Sequence, residues 1–203
     1  MDHRWVAASA LLLAVGACGK QPAPQQQQAA QPAGPAKGTP EWKIQNAMSA
    51  APAAIASAAT VVEFAADGKM TELRHGTNGW TCIPDLAESP GNDPMCVDGE
   101  FWKWAGAWMN KTRPTITSFG VAYMLQGGSD ASNTDPFKHA PDSGQTWVDT
   151  GPHVMVVVPN VNTLKGLPTD YNNGGPYIMW QNTPYAHVMV PVAAVKHEGM
   201  SGM

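Results

Sequence analysis

Short β-forming runs dominate the second half of the chain, and glycine or proline stands near most of their ends. These runs are TITSFGVAYMLQ (115–126), PHVMVVV (152–158), YIMWQ (177–181) and HVMVPV (187–192). A hairpin-like stretch (60–74) and a helix-like stretch (98–111) precede them, so strands and helices do not alternate as they do in βαβ folds. We therefore expect an α+β fold: a single domain with a mostly antiparallel sheet of about five or six strands and two or three helices packed on it.

The first half of the chain contains one clear hairpin signal. Thr60–Phe64 and Met70–Arg74 are strand-like, and Asp67-Gly68 between them is typical of a tight turn. The segment NGWTC (78–82) follows another turn and is a candidate third strand. Upstream, residues 41–59 have high helix propensity, and the proline within them predicts two short helices rather than one.

A helix is also predicted after Asp98, which is a plausible N-cap. Phe101, Trp104 and Trp108 recur at helical spacing behind it, and we interpret them as a stripe that faces the core. Trp102 falls off this stripe. It is therefore the better candidate for an exposed aromatic contact.

Cys82 and Cys96 form an even pair once Cys18 is set aside. In an oxidising compartment such a pair predicts a disulfide. The bond would close a loop of about 15 residues, which is worth on the order of 3 kcal/mol in the chain-entropy treatment. The enclosed segment is rich in proline, aspartate and glycine and has little other means of holding its shape.

The first 17 residues predict a lipoprotein-type signal peptide. A short basic region is followed by an apolar stretch that is too short for a permanent membrane span. The stretch ends in VGAC, which resembles the bacterial lipobox and makes Cys18 the expected lipidation (palmitate) site; an ordinary signal peptide is the alternative. The residue after the cysteine is Gly19 and not aspartate. In Gram-negative lipoproteins this pattern resembles export to the outer membrane rather than retention in the inner membrane. We expect an outer-membrane lipoprotein of the bacterial cell envelope that faces the periplasm.

The remaining chain divides by composition. Residues 18–40 combine the lipidated cysteine with a tether rich in Gln, Pro and Ala, which cannot bury enough apolar surface to order itself. Residues 41–196 are expected to form the single α+β domain, and residues 197–203 a flexible tail. The net charge of −4 and the lack of a basic patch predict no nucleic-acid partner. The expected partner is the membrane, through the lipid.

Several segments resemble an uncharacterised family of exported bacterial lipoproteins. They are NGWTC, MNKTRPTITSFGVAYMLQGGSDASNTDP, GPHVMVVVP and PYAHVMVPV, and the resemblance spans residues 44–192. It implies export and one domain of similar size. It implies no activity, ligand or catalytic residue.

The tripeptide HVM occurs in two of the late runs. Residues two apart on a strand point to the same side, so His153 and Met155 share one face, and His187 and Met189 share one face. If the two strands are neighbours with matching faces, two imidazoles and two thioethers converge. That ligand set suits Cu(I), because thioethers are soft ligands. The alternative is a pair of ordinary core strands, since methionine is a common core filler.

The long loop GGSDASNTDP offers Asp130, Asn133 and Asp135 as oxygen ligands for a hard cation such as Ca²⁺. The EF-hand pattern fails because prolines stand where its glycine and glutamate should be. Asx turns, in which these side chains bond their own backbone, are therefore favoured.

No nucleophile elbow, Walker A loop or dinucleotide fingerprint is present in the sequence. The first hypothesis is therefore a lipid-anchored binding or interaction module without an assigned cofactor. The second is a periplasmic copper-binding protein that uses the two His-x-Met strands. The third is a hydrolase-like enzyme in which His153 or His187 is the base, aided by Asp130 or Asp135.

Overall fold

The computed structural model describes residues 34–85 and 89–193. The predicted signal peptide (1–17), Cys18, most of the predicted tether and the predicted tail (197–203) lie outside the described residues. Within these ranges the α-helices are α1 (Pro40–Met48), α2 (Ala53–Ala56) and α3 (Gly99–Met109), and a short 3₁₀ helix covers Val161–Leu164. None of the helices described has the length and hydrophobicity that crossing a bilayer requires.

The strands of the described chain are, in order, β1 (Thr60–Phe64), β2 (Met70–Arg74), β3 (Thr81–Ile83), β4 (Met95–Val97), β5 (Gly120–Met124), β6 (Ser129–Asp130), β7 (Val148–Asp149), β8 (His153–Val157), β9 (Tyr177–Met179) and β10 (His187–Pro191). Eight of these strands form one large sheet in the order β2-β1-β3-β4-β5-β8-β10-β9. The two remaining described strands, β6 and β7, pair with each other.

The α+β class and the helix count are confirmed for the described residues, whereas the expectation of five or six strands is wrong. The predicted hairpin forms β1 and β2 with the expected bounds. The strands that were not expected are β4, β6 and β7, with two or three residues each. Strands this short show no alternation of their own, so only pairing with neighbours reveals them.

The large sheet is mixed, because β1 and β3 run parallel. After β2 returns along one edge of β1, residues 75–80 carry the chain across to the other edge. Gly76 passes so close to the backbone of Ala59 and Thr60 that a Cβ atom would collide with it. This crossing depends on contacts between segments and leaves no periodic signal in the sequence.

The helices α1 and α3 cover opposite faces of the large sheet. Cys96 and Val97 are neighbours in β4, so their side chains point to opposite sides. Cys96 packs with Ala47 of α1, while Val97 packs with Phe101 and Trp104 of α3. We call these sides the α1 face and the α3 face.

The α1 face is closed by small side chains and by the predicted disulfide. The structure confirms the bond between Cys82 and Cys96, both fully buried in paired strands β3 and β4. The other buried members of this cluster are alanines and one valine: Ala47, Ala50, Ala51, Ala56, Ala59 and Val61. Such short side chains let α1 lie close to the sheet.

The α3 face begins at the predicted N-cap. Asp98 Oδ1 accepts a hydrogen bond from the Phe101 N–H at 2.8 Å, and Oδ2 accepts one from the Val121 N–H at 2.8 Å. The cap therefore ties the start of α3 to β5. Phe101 and Trp104 are buried as predicted. Trp102 does not form an exposed contact, because it is half-buried and stacks on Phe64 with ring centroids 6.2 Å apart.

Candidate functional site

The two HVM segments are strands β8 and β10, and they pair directly in the large sheet. The pairing is antiparallel and sets Met155 opposite Met189. His153, Met155, His187 and Met189 are all buried on the α3 face. The two strands therefore present these four side chains on the same face of the sheet, which is what their convergence would require.

The register nevertheless keeps the two imidazoles apart. His153 lies opposite Pro191, which is at the far end of β10 from His187. Four residues of strand separate these positions, or about 13 Å at about 3.3 Å per residue. Bonds from a metal to nitrogen are only about 2 Å long. The structure thus brings the two methionines together and does not bring both histidines to one ion.

Each histidine instead has its own pair of methionines. His153 has Met155 two residues along its strand, and Met124 of β5 directly opposite it. Directly opposed residues of an antiparallel pair have Cβ atoms about 5 Å apart. We call these three residues the His153 triad.

The same arrangement repeats around the second histidine. His187 has Met189 two residues along its strand, and Met179 of β9 directly opposite it. We call these three residues the His187 triad. The opposed pair Met155–Met189 lies where the two triads meet, with one methionine in each. The repeated tripeptide therefore corresponds to two local copies of one arrangement.

Both imidazoles are held in the same way. Nδ1 of His153 is 2.7 Å from the Gly151 carbonyl oxygen, and Nδ1 of His187 is 3.0 Å from the Tyr185 carbonyl oxygen. A carbonyl oxygen can only accept, so each Nδ1 carries the proton and donates it. Each Nε2 of the neutral ring then keeps its lone pair. This tautomer is the one that metal-binding histidines adopt when a backbone carbonyl orients them.

Burial favours the neutral ring. It lowers the pKa of His153 below the usual value, although the bond to the Gly151 carbonyl opposes the shift. Burial lowers the pKa of His187 to about 4, against the opposing bond to the Tyr185 carbonyl. Both side chains are therefore uncharged at neutral pH. Nε2 of His153 is buried and has no hydrogen-bond partner among the described residues.

A cavity of about 240 Å³ lies between α3 and the sheet, and both histidines line it. Its walls include aromatic rings from α3 and from the turn after β9, among them Trp104 and Trp180. Among the eight methionines in the described ranges, the following six line it: Met95, Met109, Met124, Met155, Met179 and Met189. The thioethers of this part of the chain are thus concentrated around the two imidazoles.

Gly128 keeps space open beside the His153 triad. A Cβ atom built at this glycine would lie 3.1 Å from both His153 Cε1 and Met124 Cε, and 2.8 Å from Thr150 Oγ1. Three side chains therefore meet at this point, and the missing side chain of Gly128 leaves them room.

Two aspartates also line the cavity. Burial, opposed by a backbone bond from Ser132 and aided by the neighbouring charge of Asp93, raises the pKa of Asp130 to about 6. Burial also raises the pKa of Asp93. Within the described ranges, Oδ1 of Asp93 is buried without a hydrogen-bond partner. These two carboxyl groups can therefore hold a proton or face a positive charge.

The predicted loop site does not assemble. Asp130 accepts a bond from the Ser132 N–H at 2.8 Å, and Asp135 accepts one from the Phe137 N–H at 2.9 Å. Asn133 instead donates to the Thr169 carbonyl at 2.9 Å. Each side chain serves a local turn or contact, and only Asp130 lines the cavity. No group of three or more His, Cys, Asp or Glu in the described chain is placed to hold a metal ion.

The geometry for a histidine base is not formed at either candidate. Nδ1 of each ring is engaged by a backbone carbonyl, and no carboxylate bonds His153 or His187 in the residues described. Within the described residues a histidine pairs with a carboxylate at His75 and Glu72, 3.3 Å apart; Glu72 lies on the exposed strand β2 and His75 directly follows it. A hydrolytic mechanism would need a carboxylate to orient the ring.

Two wider concavities lie elsewhere and contain none of the predicted histidines or methionines. One, of about 380 Å³, is lined by Arg113 and Lys165 among others. The other, of about 420 Å³, borders Asp93 and Trp147. Both are more open to solvent than the cavity beneath α3, and no predicted ligand converges in them.

Met124, Met179 and Gly128 belong to the site although the sequence did not single them out. Met124 and Met179 lay within predicted strands, where alternation could have suggested their face. Their position opposite a histidine depends on which strands pair, and no local pattern in the sequence indicates that.

Comparison with known proteins finds no matching family model, no significantly similar curated protein and no significantly similar solved structure.

Proposed function

We propose that this protein binds Cu(I) at the His153 triad. The observation that carries the proposal is the buried, unpartnered Nε2 of His153, whose lone pair is fixed by the bond from Nδ1–H to Gly151. A buried polar atom without a partner is costly, so its retention calls for a ligand. Met124 and Met155 supply two thioethers beside it.

The composition of the triad favours Cu(I) over other metals. One imidazole and two thioethers form a neutral, soft set, which selects Cu(I). Zn²⁺ and Ca²⁺ are bound mainly through thiolates, imidazoles and carboxylates. The cysteines Cys82 and Cys96 are locked in a disulfide on the α1 face, so they supply no thiolate. The carboxylate of Asp130, which lines the same cavity, would offset the single positive charge.

The test is a titration under nitrogen, with Cu(I) supplied as its acetonitrile complex and a chromophoric Cu(I) chelator as competitor. His153→Leu removes the nitrogen ligand. It should weaken binding at this triad by at least the roughly 10- to 100-fold that loss of an outer-shell partner causes. Met124→Leu and Met155→Leu remove sulfur at nearly constant volume, so they should weaken binding with little loss of stability.

The matched controls are Met70→Leu on strand β2 and His75→Leu directly after it, neither of which lines the cavity. They should bind Cu(I) as the wild-type chain does. Zn²⁺ and Ca²⁺ at the same concentrations should not compete. Equal affinity in the wild-type chain and the Met124→Leu and His153→Leu variants would refute a site at this triad.

The location of the protein is a separate proposal. We infer a lipid anchor at Cys18 in the bacterial envelope, because a short apolar segment, small residues and a cysteine coincide there. In this setting the protein is a binding module held at the membrane surface. Cys18→Ser should move it from the membrane fraction to the soluble periplasmic fraction and abolish incorporation of labelled palmitate. Unchanged fractionation would contradict the anchor.

A further inference from the structure

We propose that the His187 triad is a second Cu(I) site, so that one chain holds two ions. The inference goes beyond the single site proposed above, although it rests on the same ligand chemistry. Its three residues repeat each positional relation of the first triad: a methionine opposite the histidine and a methionine two residues along the same strand.

The ring of the second histidine is oriented by the same kind of hydrogen bond as that of the first. Its Nδ1–H donates to the carbonyl of the residue two positions earlier, as in the first triad. Its side chain is only 1 % exposed, and no hydrogen bond engages its Nε2 within the described part of the chain. Met179 and Met189 are 3 % and 1 % exposed. The three side chains of this ligand set are therefore almost fully buried.

The surroundings of the second triad differ in one useful respect. The His187 ring lies 5.3 Å from the ring of Trp104 and 5.0 Å from that of Trp180, both nearly perpendicular to it. Indole faces attract a nearby cation within about 6 Å. His153 makes no such ring contact in the described residues. Indole fluorescence should therefore report an ion at the second triad more strongly than one at the first.

The backbone around Trp180 is held in an unusual conformation. Trp180 has a φ of 55° and Asn182 a φ of 65°, which are rare for residues with side chains. Bonds from the Trp180 N–H to Asn133 and from its Nε1–H to Ser132 hold the ring over the cavity. Strained backbone of this kind tends to occur at ligand sites. Here it places the indole beside His187.

The experiment counts Cu(I) per chain by native mass spectrometry and follows tryptophan emission during the same anaerobic titration. The full mature chain should bind two ions. Met179→Leu with Met189→Leu should bind one and lose most of the quenching. Met124→Leu with Met155→Leu should bind one and keep the quenching. Met70→Leu, on the exposed strand β2, should bind two.

The outcomes separate the two proposals. One ion in the wild-type chain, lost only with Met124 and Met155, would overturn the second site and leave the first intact. One ion lost only with Met179 and Met189 would support the second site and overturn the first. One ion lost with either pair means a single shared ion at Met155–Met189, which overturns the two-site inference. No binding in the wild-type chain would overturn both.

Discussion

A helix covers each face of the large sheet, but the side chains buried beneath the two helices differ. The α1 face uses alanines, a valine and a disulfide, and its members are almost fully buried. The α3 face uses methionines and aromatic rings and keeps a cavity of about 240 Å³. Methionine is flexible and adapts to irregular space, so the side chains around the cavity can adjust to a ligand. We infer that the α1 face supplies stability and that the α3 face supplies binding.

Removal of the disulfide is the strongest test of that division. Cys82→Ala with Cys96→Ala should lower the free energy of unfolding by about 3 kcal/mol, because the unfolded chain regains the freedom of the closed loop. Urea denaturation of the wild-type protein and of the double variant at pH 7 measures this loss. Cu(I) stoichiometry should not change, since both cysteines lie on the α1 face. A loss of bound Cu(I) in the folded variant would show that the two faces are coupled.

One substitution applied to both faces gives a direct comparison of their packing. Ala47 is fully buried on the α1 face, whereas Ala105 of α3 lines the cavity. Ala47→Leu should cost between about 1 and 3 kcal/mol, because the new carbons have no space. Ala105→Leu should change the free energy of unfolding by less than about 1 kcal/mol, because the cavity accepts them. If urea denaturation showed that both variants lose the same free energy of unfolding, the α3 face would not contain this open space.

Parts of this fold could be predicted from the sequence because their signals are local. The β1–β2 hairpin follows from two strand-like runs around Asp67-Gly68, and α3 from the N-cap Asp98 and its apolar stripe. The parallel pair β1–β3 and the three-residue strand β4 could not be predicted, because they exist only through pairing between segments. Local patterns carry no information on which strands become neighbours.

The candidate site likewise has a part that could be predicted from the sequence and a part that could not. The shared face of His153 and Met155 follows from spacing on one strand. The assignment of Met124 to His153, and of Met179 to His187, requires the register of two strand pairs, β5–β8 and β9–β10. The sequence therefore pairs each histidine with the methionine on its own strand. The methionine opposite each histidine comes only from the pairing of strands.

The pH dependence of stability should also belong to the α3 face, where Asp93, Asp130, His153 and His187 line the cavity. Unfolded histidine has a pKa near 6.5, and burial lowers that of His187 to about 4, so the unfolded chain binds the extra proton. Stability is therefore lost as pH falls below 6.5, by about 2 kcal/mol between pH 8 and pH 5. The lowered pKa of His153 acts in the same direction.

Asp130 opposes this loss. Burial raises its pKa from 3.8 to about 6, so the folded chain takes up a proton that the unfolded chain releases. This uptake should restore about 1 kcal/mol between pH 8 and pH 5, and the raised pKa of Asp93 adds to it. Asp130→Asn should therefore steepen the loss of stability on acidification, measured by urea denaturation at each pH. Asp67→Asn in the exposed turn should follow the wild-type profile, and a parallel profile for Asp130→Asn would contradict this account.

The smallest expected change in stability distinguishes the two triads within the α3 face. Gly128→Ala places a Cβ atom 2.8 Å from Thr150 Oγ1 and 3.1 Å from both His153 Cε1 and Met124 Cε, so these side chains must shift. Because all three atoms belong to side chains and none to the backbone, the cost should stay at about 1 kcal/mol. Metal geometry tolerates less displacement than packing does.

Cu(I) bound by the His153 triad should therefore be lost or weakened in Gly128→Ala, while the ion at the His187 triad and its quenching of tryptophan emission persist. Gly106→Ala on α3 is the matched control, because a Cβ atom there meets no other atom within 4 Å. It should bind two ions and be as stable as the wild-type chain or slightly more so. Full binding of two ions by Gly128→Ala would mean that the first ion does not lie between His153 and Met124, whereas loss of both ions would mean that the triads fill as one unit.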